Sequence, residues 1–229
     1  MSVHSRFALY FAPPPGPLAD FGAAWLGWDI ATGQAVAHPD VEGLPRPLAE
    51  ITATPRRYGF HATLKPPFRL APGQTETALA AEVAALAAGL APATLDGLQL
   101  AQIGRFLALV PEGEVTALNA LAGRLVEGLD HFRAPAPPEE IARRRAAGLS
   151  PAQDALLVRW GYPYVMEEFR FHMTLTGPLD PDTGSATRAA LAPHLAAVLP
   201  RPFLLDEVVL AGERADGHFE TVHRYALSG

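Results

Sequence analysis

The sequence contains no cysteine and no long uninterrupted apolar run. Without cysteine there is no disulfide framework, thiolate zinc site, iron–sulfur cluster or cysteine nucleophile, so a metal would need His, Asp or Glu ligands. No window approaches the roughly 18 apolar residues that a membrane span requires. The apolar run near the start, Phe7 to Ala12, is stopped by three prolines. It is therefore predicted to be a strand and not a signal peptide, and we expect a soluble cytoplasmic protein.

Positive charge is also scarce, because 18 Lys and Arg residues face 24 Asp and Glu residues and the formal net charge is -6. Such a chain has no general attraction for a polyanion, which argues against long RNA or DNA as a partner. A small anionic substrate in a locally basic cleft is compatible with this balance. Apolar residues are plentiful: 49% hydrophobic and 18% charged residues over 229 positions predict a globular chain with ample core.

Strand and helix signals alternate along the chain in an α+β pattern. Strands are predicted at 7–11, 57–65, 95–100, 105–110, 169–176, 203–213 and 219–227, and helices at 19–26, 76–90, 114–129, 151–159 and 185–199. In both halves a strand leads through a Pro-containing turn to an Ala-rich helix and two further strands, which indicates duplication.

The duplication predicts one bilobal domain over residues 1–229. Two pseudo-symmetric lobes, each an antiparallel sheet flanked by helices, are expected at 1–130 and 151–229. A Pro- and Arg-rich segment at 131–150 would cross between them, and a cleft would separate them.

The same short pattern, His-x-Thr-Leu, occurs on a predicted strand in each half. The copies are His61-Ala62-Thr63-Leu64 and His172-Met173-Thr174-Leu175. Side chains on a strand point alternately to opposite faces. Each strand is therefore predicted to bury an apolar face in its lobe and to present a polar face to the cleft. The polar face carries His61, Thr63 and Lys65 on the first strand, and Arg170, His172, Thr174 and Thr176 on the second.

Two imidazoles facing one cleft supply what phosphodiester hydrolysis needs near neutral pH. A neutral His activates water and a protonated His protonates the leaving oxygen, so we expect no metal and no other cofactor. Thr63 and Thr174 are predicted to donate hydrogen bonds to non-bridging phosphate oxygens. Five nearby residues are further candidates for binding the substrate: Lys65, Arg170, Tyr58, Arg105 and Tyr164.

The aromatic and arginine candidates also have ordinary structural explanations. Aromatic residues at strand ends are more often packing residues, and an arginine at a strand edge is often solvated. Alternation along the strand puts Tyr58 on the buried face. Its side chain therefore reaches the cleft only if the strand is irregular near Gly59.

The motif segments resemble the two-histidine (2H) phosphoesterase superfamily. More narrowly, they are similar to an uncharacterised branch associated with bacterial phosphonate-utilisation operons. That similarity lies in Arg57-Tyr58-Gly59-Phe60-His61-Ala62-Thr63-Leu64-Lys65-Pro66-Pro67-Phe68 and in Trp160-Gly161-Tyr162-Pro163-Tyr164, which precedes the second motif. The resemblance implies two similar lobes around a cleft and cyclic phosphodiesterase chemistry. We expect a phosphoric diester hydrolase acting on a small nucleotide or ribose cyclic phosphate.

Two other functions stay open at this point. An RNA end-binding or RNA-processing module would use the same His-Thr pairs to contact phosphate, although the negative charge and the lack of an aromatic and basic stripe weigh against it. A metal hydrolase would need a third ligand, and neither motif has a His or carboxylate two residues along its strand. The sequence assigns neither the acid and base roles nor the oligomeric state.

Overall fold

The computed structural model describes residues 4–229, over which short strands and helices follow one another. Residues 1–3, which begin the segment expected not to be a signal peptide, lie outside the described residues. The strands are β1 (Phe7–Phe11), β2 (Trp28–Asp29), β3 (Gln34–Ala35), β4 (Ala62–Phe68), β5 (Ala93–Leu95), β6 (Gly97–Ile103), β7 (Phe106–Glu112), β8 (Met173–Thr174), β9 (Phe203–Leu205), β10 (Glu207–Glu213) and β11 (Phe219–Ala226). The helices are α1 (Pro17–Leu26), α2 (Leu48–Ile51), α3 (Ala53–Arg56), α4 (Glu76–Ala88), α5 (Thr116–Gly128), α6 (Pro138–Arg145), α7 (Pro151–Trp160) and α8 (Pro181–Ala196).

Seven of the strands form one antiparallel sheet in the order β11-β10-β1-β4-β8-β7-β6. One face carries the main core, where Phe7, Leu9 and Phe11 of β1 meet apolar side chains of α1, α4, α5 and α8. Ala8 and Tyr10 point to the opposite face, which carries the candidate site. The predicted α+β class, with an antiparallel sheet flanked by helices, is confirmed.

Helix α4 begins where the sequence predicts it, because the Thr75 hydroxyl accepts a hydrogen bond from the Ala78 N–H at 3.1 Å. Helix α8 begins in the same way at Asp180, whose carboxylate accepts from the Thr183 N–H at 2.9 Å. On the main-core side, helix α4 packs against β10 and β11 and helix α8 packs against β6 and β7, so the two Ala-rich helices lie under the outer strands at opposite ends of the sheet.

The order β4-α4-β5-β6 recurs as β8-α8-β9-β10, so the chain contains two similar units. The two motif histidines are 111 positions apart, and both β5 with β9 and β6 with β10 begin 110 positions apart. Strands β5 and β9 pair with each other as a small separate sheet. Strands β1 and β7 hold equivalent places, each next to a motif strand in the large sheet. The sheet is therefore pseudo-symmetric about the β4–β8 boundary.

The predicted lobe boundaries at 1–130 and 151–229 are wrong. Strand β6 of the first unit pairs with β7, and strand β10 of the second unit pairs with β1, so each unit gives its last strand to the other half of the sheet. The junction between units is the turn at Gly104 and Arg105, and segment 131–150 lies inside the second unit. Chain order alone does not reveal such an exchange of strands.

Two further observations concern the length of strand β8 and the character of the helices. Strand β8 covers only Met173–Thr174, although a strand was predicted over 169–176. Within residues 4–229, no helix has the length and apolar character needed to cross a membrane.

Candidate active site

The two motifs lie side by side because β4 and β8 are neighbouring antiparallel strands at the centre of the sheet. Their register places Ala62 opposite Met173, and both side chains are buried in the main core. One residue further along each strand, antiparallel pairing sets His61 beside Thr174 and Thr63 beside His172 on the opposite face. The structure thus brings the four predicted catalytic side chains together, and their roles in catalysis remain predictions.

The orientation of His61 follows from its hydrogen bonds. Its Nδ1 lies 2.9 Å from the Gly59 carbonyl oxygen and its Nε2 lies 3.1 Å from the Thr63 hydroxyl. A carbonyl only accepts, so Nδ1 carries the proton and donates it. In the neutral ring Nε2 then keeps its lone pair, and the Thr63 hydroxyl donates to it.

His172 is held in the same way by the backbone two residues before it. Its Nδ1 lies 2.8 Å from the Arg170 carbonyl oxygen, which again accepts, so Nδ1 of His172 is a donor. Each motif therefore fixes its own imidazole through the carbonyl at the same offset and leaves Nε2 for chemistry.

The two imidazoles differ in what covers them. Tyr10 of β1 lies opposite Thr63 of β4 and is fully buried. Its ring packs on the imidazole of His61, with the ring centroids 3.8 Å apart. The position opposite Thr174 on β7 is Ala108, and the aromatic ring near His172 is that of Phe106, at 5.7 Å between centroids. Burial lowers the pKa of His61 from 6.5 to about 4, with a further lowering from the charge of His172 and an opposing effect of the Gly59 hydrogen bond.

Tyr58 lies on the same side of the sheet as His61. Its ring stacks on Phe219 at 5.3 Å and its centroid is 6.1 Å from that of His61. The backbone irregularity that this position requires is present, because Gly59 has a φ of +71° and β4 begins only at Ala62. A side chain at 59 would meet Ile30 at 2.6 Å, so glycine suits both the turn and the close packing.

The expectation that Lys65 shares the face of His61 and Thr63 is wrong. Tyr10 pairs with Thr63 but Leu9 pairs with Lys65, so one extra residue, Leu64, is inserted and the alternation of faces shifts. Lys65 is buried and donates from Nζ to the Val126 carbonyl of α5 at 2.9 Å. Burial lowers its pKa to about 8, although Asp130 opposes the change. Its amine therefore bonds to α5 in the core and does not line the candidate site. Thr176 is buried too, contrary to its predicted place on the polar face, and its hydroxyl accepts from the Leu107 N–H at 3.0 Å.

The other predicted substrate-binding residues are exposed and lie in loops. Arg170 donates to the Glu167 and Phe169 carbonyl oxygens. Arg105 lies in the turn before β7 and donates to the Leu179 carbonyl at 3.4 Å. Tyr164 is 47% exposed, in edge-to-face contact with Tyr162. Roles for all three in binding substrate remain predictions.

Within residues 4–229, no three His, Asp or Glu side chains converge in an arrangement that could hold a metal ion.

A family model described as "Protein of unknown function (DUF1045)" matches residues 63–220, which is more than half of the chain. The chain belongs to the DUF1045 family. The two similar units that the sequence resemblance implied are present and share one sheet.

Two relatives of this DUF1045 chain carry the name "Ribose 1,5-bisphosphate phosphokinase PhnN". The protein from Janthinobacterium sp. (strain Marseille) is 42% identical over 219 residues, covering 93% of this chain and 48% of its own length. The protein from Laribacter hongkongensis (strain HLHK9) is 38% identical over 205 residues, covering 86% of this chain and 46% of its own length. The chain thus spans about half the length of these relatives.

Solved structures similar to the chain include E. coli LigT complexed with NADP+ and a protein described as a phosphoesterase. The LigT structure is 17% identical with a TM-score of 0.48, and the alignment covers 100% of both chains. The phosphoesterase is 18% identical with a TM-score of 0.43, covering 98% of this chain and 99% of the other.

Sequence reasoning missed Tyr10 and the two backbone carbonyl groups that orient the imidazoles. Tyr10 carried one signal, since it is the only residue in Phe7–Phe11 with a polar group and it alternates away from Phe7, Leu9 and Phe11. Its contact with His61 joins residues 51 positions apart, which no local pattern reveals.

Proposed function

We propose that the chain is a phosphodiesterase that hydrolyses a small cyclic phosphodiester by acid–base catalysis with His61 and His172. The β4–β8 register is the observation that carries this proposal, because it puts two His-Thr pairs on one face with each His beside the other motif's Thr. When the Thr63 hydroxyl donates to the phosphate instead of to Nε2 of His61, the Nε2 atoms of both imidazoles can hold a water and a leaving oxygen on opposite sides of one phosphorus.

The proposed reaction adds one water across a P–O bond of the ring. The neutral histidine takes a proton from water as the water oxygen bonds to phosphorus. The ring P–O bond breaks, its electron pair goes to the leaving oxygen, and that oxygen takes a proton from the other histidine. Proton exchange with solvent then restores both rings, and Thr63 and Thr174 donate to the non-bridging oxygens as charge builds there.

The names of the relatives favour a ribose phosphate as substrate. Both are named for an enzyme acting on ribose 1,5-bisphosphate, and this chain matches about half of each. Opening the ring of a ribose 1,2-cyclic phosphate that carries a 5-phosphate would yield ribose 1,5-bisphosphate when the bond to O2 breaks. The matched half would then produce the compound that the relatives' named activity consumes, and a role in phosphonate utilisation is part of this proposal.

The kinase named in the relatives belongs, in this proposal, to the half that the chain does not match. A P-loop phosphate site needs the sequence G-x-x-x-x-G-K-S/T. This chain has a single lysine, Lys65, which lies between Leu64 and Pro66 and is buried against α5. Hydrolysis and not phosphoryl transfer from a nucleotide is the activity that the two-histidine site favours.

The test is hydrolysis of ribose 1,2-cyclic phosphate 5-phosphate and of 2′,3′-cyclic nucleotides, followed by phosphorus NMR to identify the product. His61→Ala and His172→Ala should each lower kcat by about a hundredfold to ten-thousandfold. The double variant should be little worse than the worse single variant, because both groups act in one transition state. Full activity of His172→Ala on the best substrate, with none for His61→Ala, would contradict the two-histidine mechanism.

The RNA module predicts a different outcome. RNA binding that tightens with RNA length at physiological salt, without turnover of any cyclic phosphate, would support the module and refute the hydrolase. Folding of each His variant is checked by circular dichroism, because loss of activity through unfolding would show a structural role only.

A further inference from the structure

We propose that Tyr10 is a positioning residue that makes His61 the general base and leaves His172 as the general acid. The inference rests on the proposed phosphodiesterase function and goes beyond it by dividing the roles of two histidines that their motifs present as equals.

The contact between Tyr10 and His61 is close and built into the sheet. The two ring centroids lie 3.8 Å apart with 33° between the ring planes. Tyr10 sits on β1 opposite Thr63, so it shares the face of His61, and it is completely buried. Its ring therefore covers one side of the imidazole and excludes water from it.

The equivalent place beside the second motif is occupied differently. Pseudo-symmetry relates β1 to β7 and β4 to β8, and the residue opposite Thr174 on β7 is Ala108. A methyl group does not cover an imidazole, and the nearby Phe106 ring lies 5.7 Å from that of His172, against 3.8 Å for Tyr10 and His61. The two motifs are thus alike in sequence and in the backbone hydrogen bond to Nδ1, but unlike in the residue that the neighbouring strand places beside the imidazole.

Two effects act against a positive charge on His61 and one hydrogen bond favours it. The titratable groups that face it are Tyr10 from β1, Tyr58 from the segment before β4, and His172 from β8. Burial and the charge of His172 disfavour its protonated form, and the Gly59 carbonyl opposes them. A histidine kept neutral with a lone pair on Nε2 is suited to take a proton from water.

The assignment fixes the direction of both proton transfers. Nε2 of His61 receives the proton of the attacking water, and Nε2 of His172 gives its proton to the ring oxygen as the P–O bond breaks. Each reaction cycle therefore leaves His61 protonated and His172 neutral, and both exchange one proton with solvent before the next turnover.

The first test changes the leaving group. A nitrophenyl phosphodiester releases a phenolate that needs no proton, so loss of the general acid should matter little for it. His172→Ala should lose at least tenfold less activity on the nitrophenyl ester than on a cyclic phosphate. His61→Ala should lose similar activity on both substrates. If instead His61→Ala is the variant that loses much less activity on the nitrophenyl ester than on the cyclic phosphate, the assignment is reversed and the proposal is overturned.

The second test uses Tyr10 itself. Tyr10→Phe keeps the ring and should keep the acid limb of kcat/KM near the wild-type position, whereas Tyr10→Ala should move that limb up from about pH 4 towards 6.5. If Tyr10→Ala does not fold, Tyr10→Leu, which fills part of the space without a stacked ring, replaces it. Equal acid limbs in the ring-retaining and ring-deleted variants would refute the role of Tyr10.

NMR titration of the His61 ring gives a result that does not depend on turnover. In the wild-type protein and in Tyr10→Phe the ring should stay neutral well below pH 6, and it should titrate at higher pH once the Tyr10 ring is removed. A His61 ring that titrates at its ordinary value in the wild-type protein overturns the inference even if the enzyme is an active phosphodiesterase. A neutral His61 with no hydrolysis of any phosphodiester would instead refute the proposed function.

Discussion

Lowering the pH from 7.5 to 5 should reduce the free energy of unfolding by about 1–2 kcal/mol through His61. The folded protein holds the pKa of this ring at about 4, because burial disfavours the imidazolium. In the unfolded chain the ring titrates near its ordinary value of about 6.5. Acid therefore favours the unfolded state, which binds the proton more readily.

The size of the effect follows from the two pKa values. At pH 5 about 97% of unfolded chains but only about 9% of folded ones would carry the proton on His61, which corresponds to about 2 kcal/mol. The ring is partly exposed, and solvent reduces this to about 1–2 kcal/mol. The contribution of the neutral His61 ring to the free energy of unfolding is fully present above pH 6.5. It falls as the pH drops towards 4 and does not change further below pH 4.

The assay compares urea unfolding of the wild-type protein and His61→Gln at pH 7.5 and pH 5 in the same salt. Other titrating groups act in both proteins, so the difference between the two pH dependences isolates His61. The glutamine variant should lose less stability on acidification. Identical losses in the two proteins would show that His61 is not held neutral by the fold, and the reasoning would fail.

Three further predictions concern the two motif threonines, Lys65 and the response to a chelator. Thr63→Val and Thr174→Val should each lower kcat/KM by about tenfold to a hundredfold, less than either His variant, since each loses one hydrogen bond to phosphate while the strand keeps its shape; steady-state kinetics measures this, and losses as large as those of the His variants would contradict it. Lys65→Met should lower stability by about 1–3 kcal/mol in urea unfolding, because the Val126 carbonyl loses its buried donor; an unchanged midpoint would show that the bond contributes nothing. Activity should persist in excess EDTA, because imidazole catalysis needs no metal, and loss restored by a divalent ion would overturn the metal-free mechanism.

Local alternation along a strand predicted the motif faces only as far as the strand is regular. Phe60, Ala62 and Leu64 are buried as expected, and His61 and Thr63 lie on the opposite face. The prediction failed one residue later at Lys65, because the insertion of Leu64 shifts the alternation and sequence gives no direct sign of a bulge. Alternation therefore placed the His-Thr pairs on the correct face of the sheet and Lys65 on the wrong one, and the roles of the His-Thr pairs stay predictions.

Pairing between distant strands explains the other differences. The repeated order of a motif strand, a helix and two strands was visible in the sequence, and the structure shows it. Strand β6 joins β7 in a local hairpin, but the place of β10 beside β1 depends on contacts between residues more than a hundred positions apart, such as Leu9 with Leu210. The lobe boundaries and the packing of Tyr10 on His61 both depend on contacts between distant parts of the chain, and local patterns carry no information about them.

Internal duplication creates a chemical problem that a single position can solve. Two copies of one motif deliver two histidines held by the same backbone hydrogen bond at the same offset. Acid–base catalysis needs them to differ, because one must be neutral while the other carries a proton. The motifs themselves do not distinguish them, but the adjacent strands do: a tyrosine covers the first ring and an alanine lies at the matching place beside the second. The division of labour can therefore arise outside the motifs, on β1 and β7, without any change to the residues that contact the phosphate.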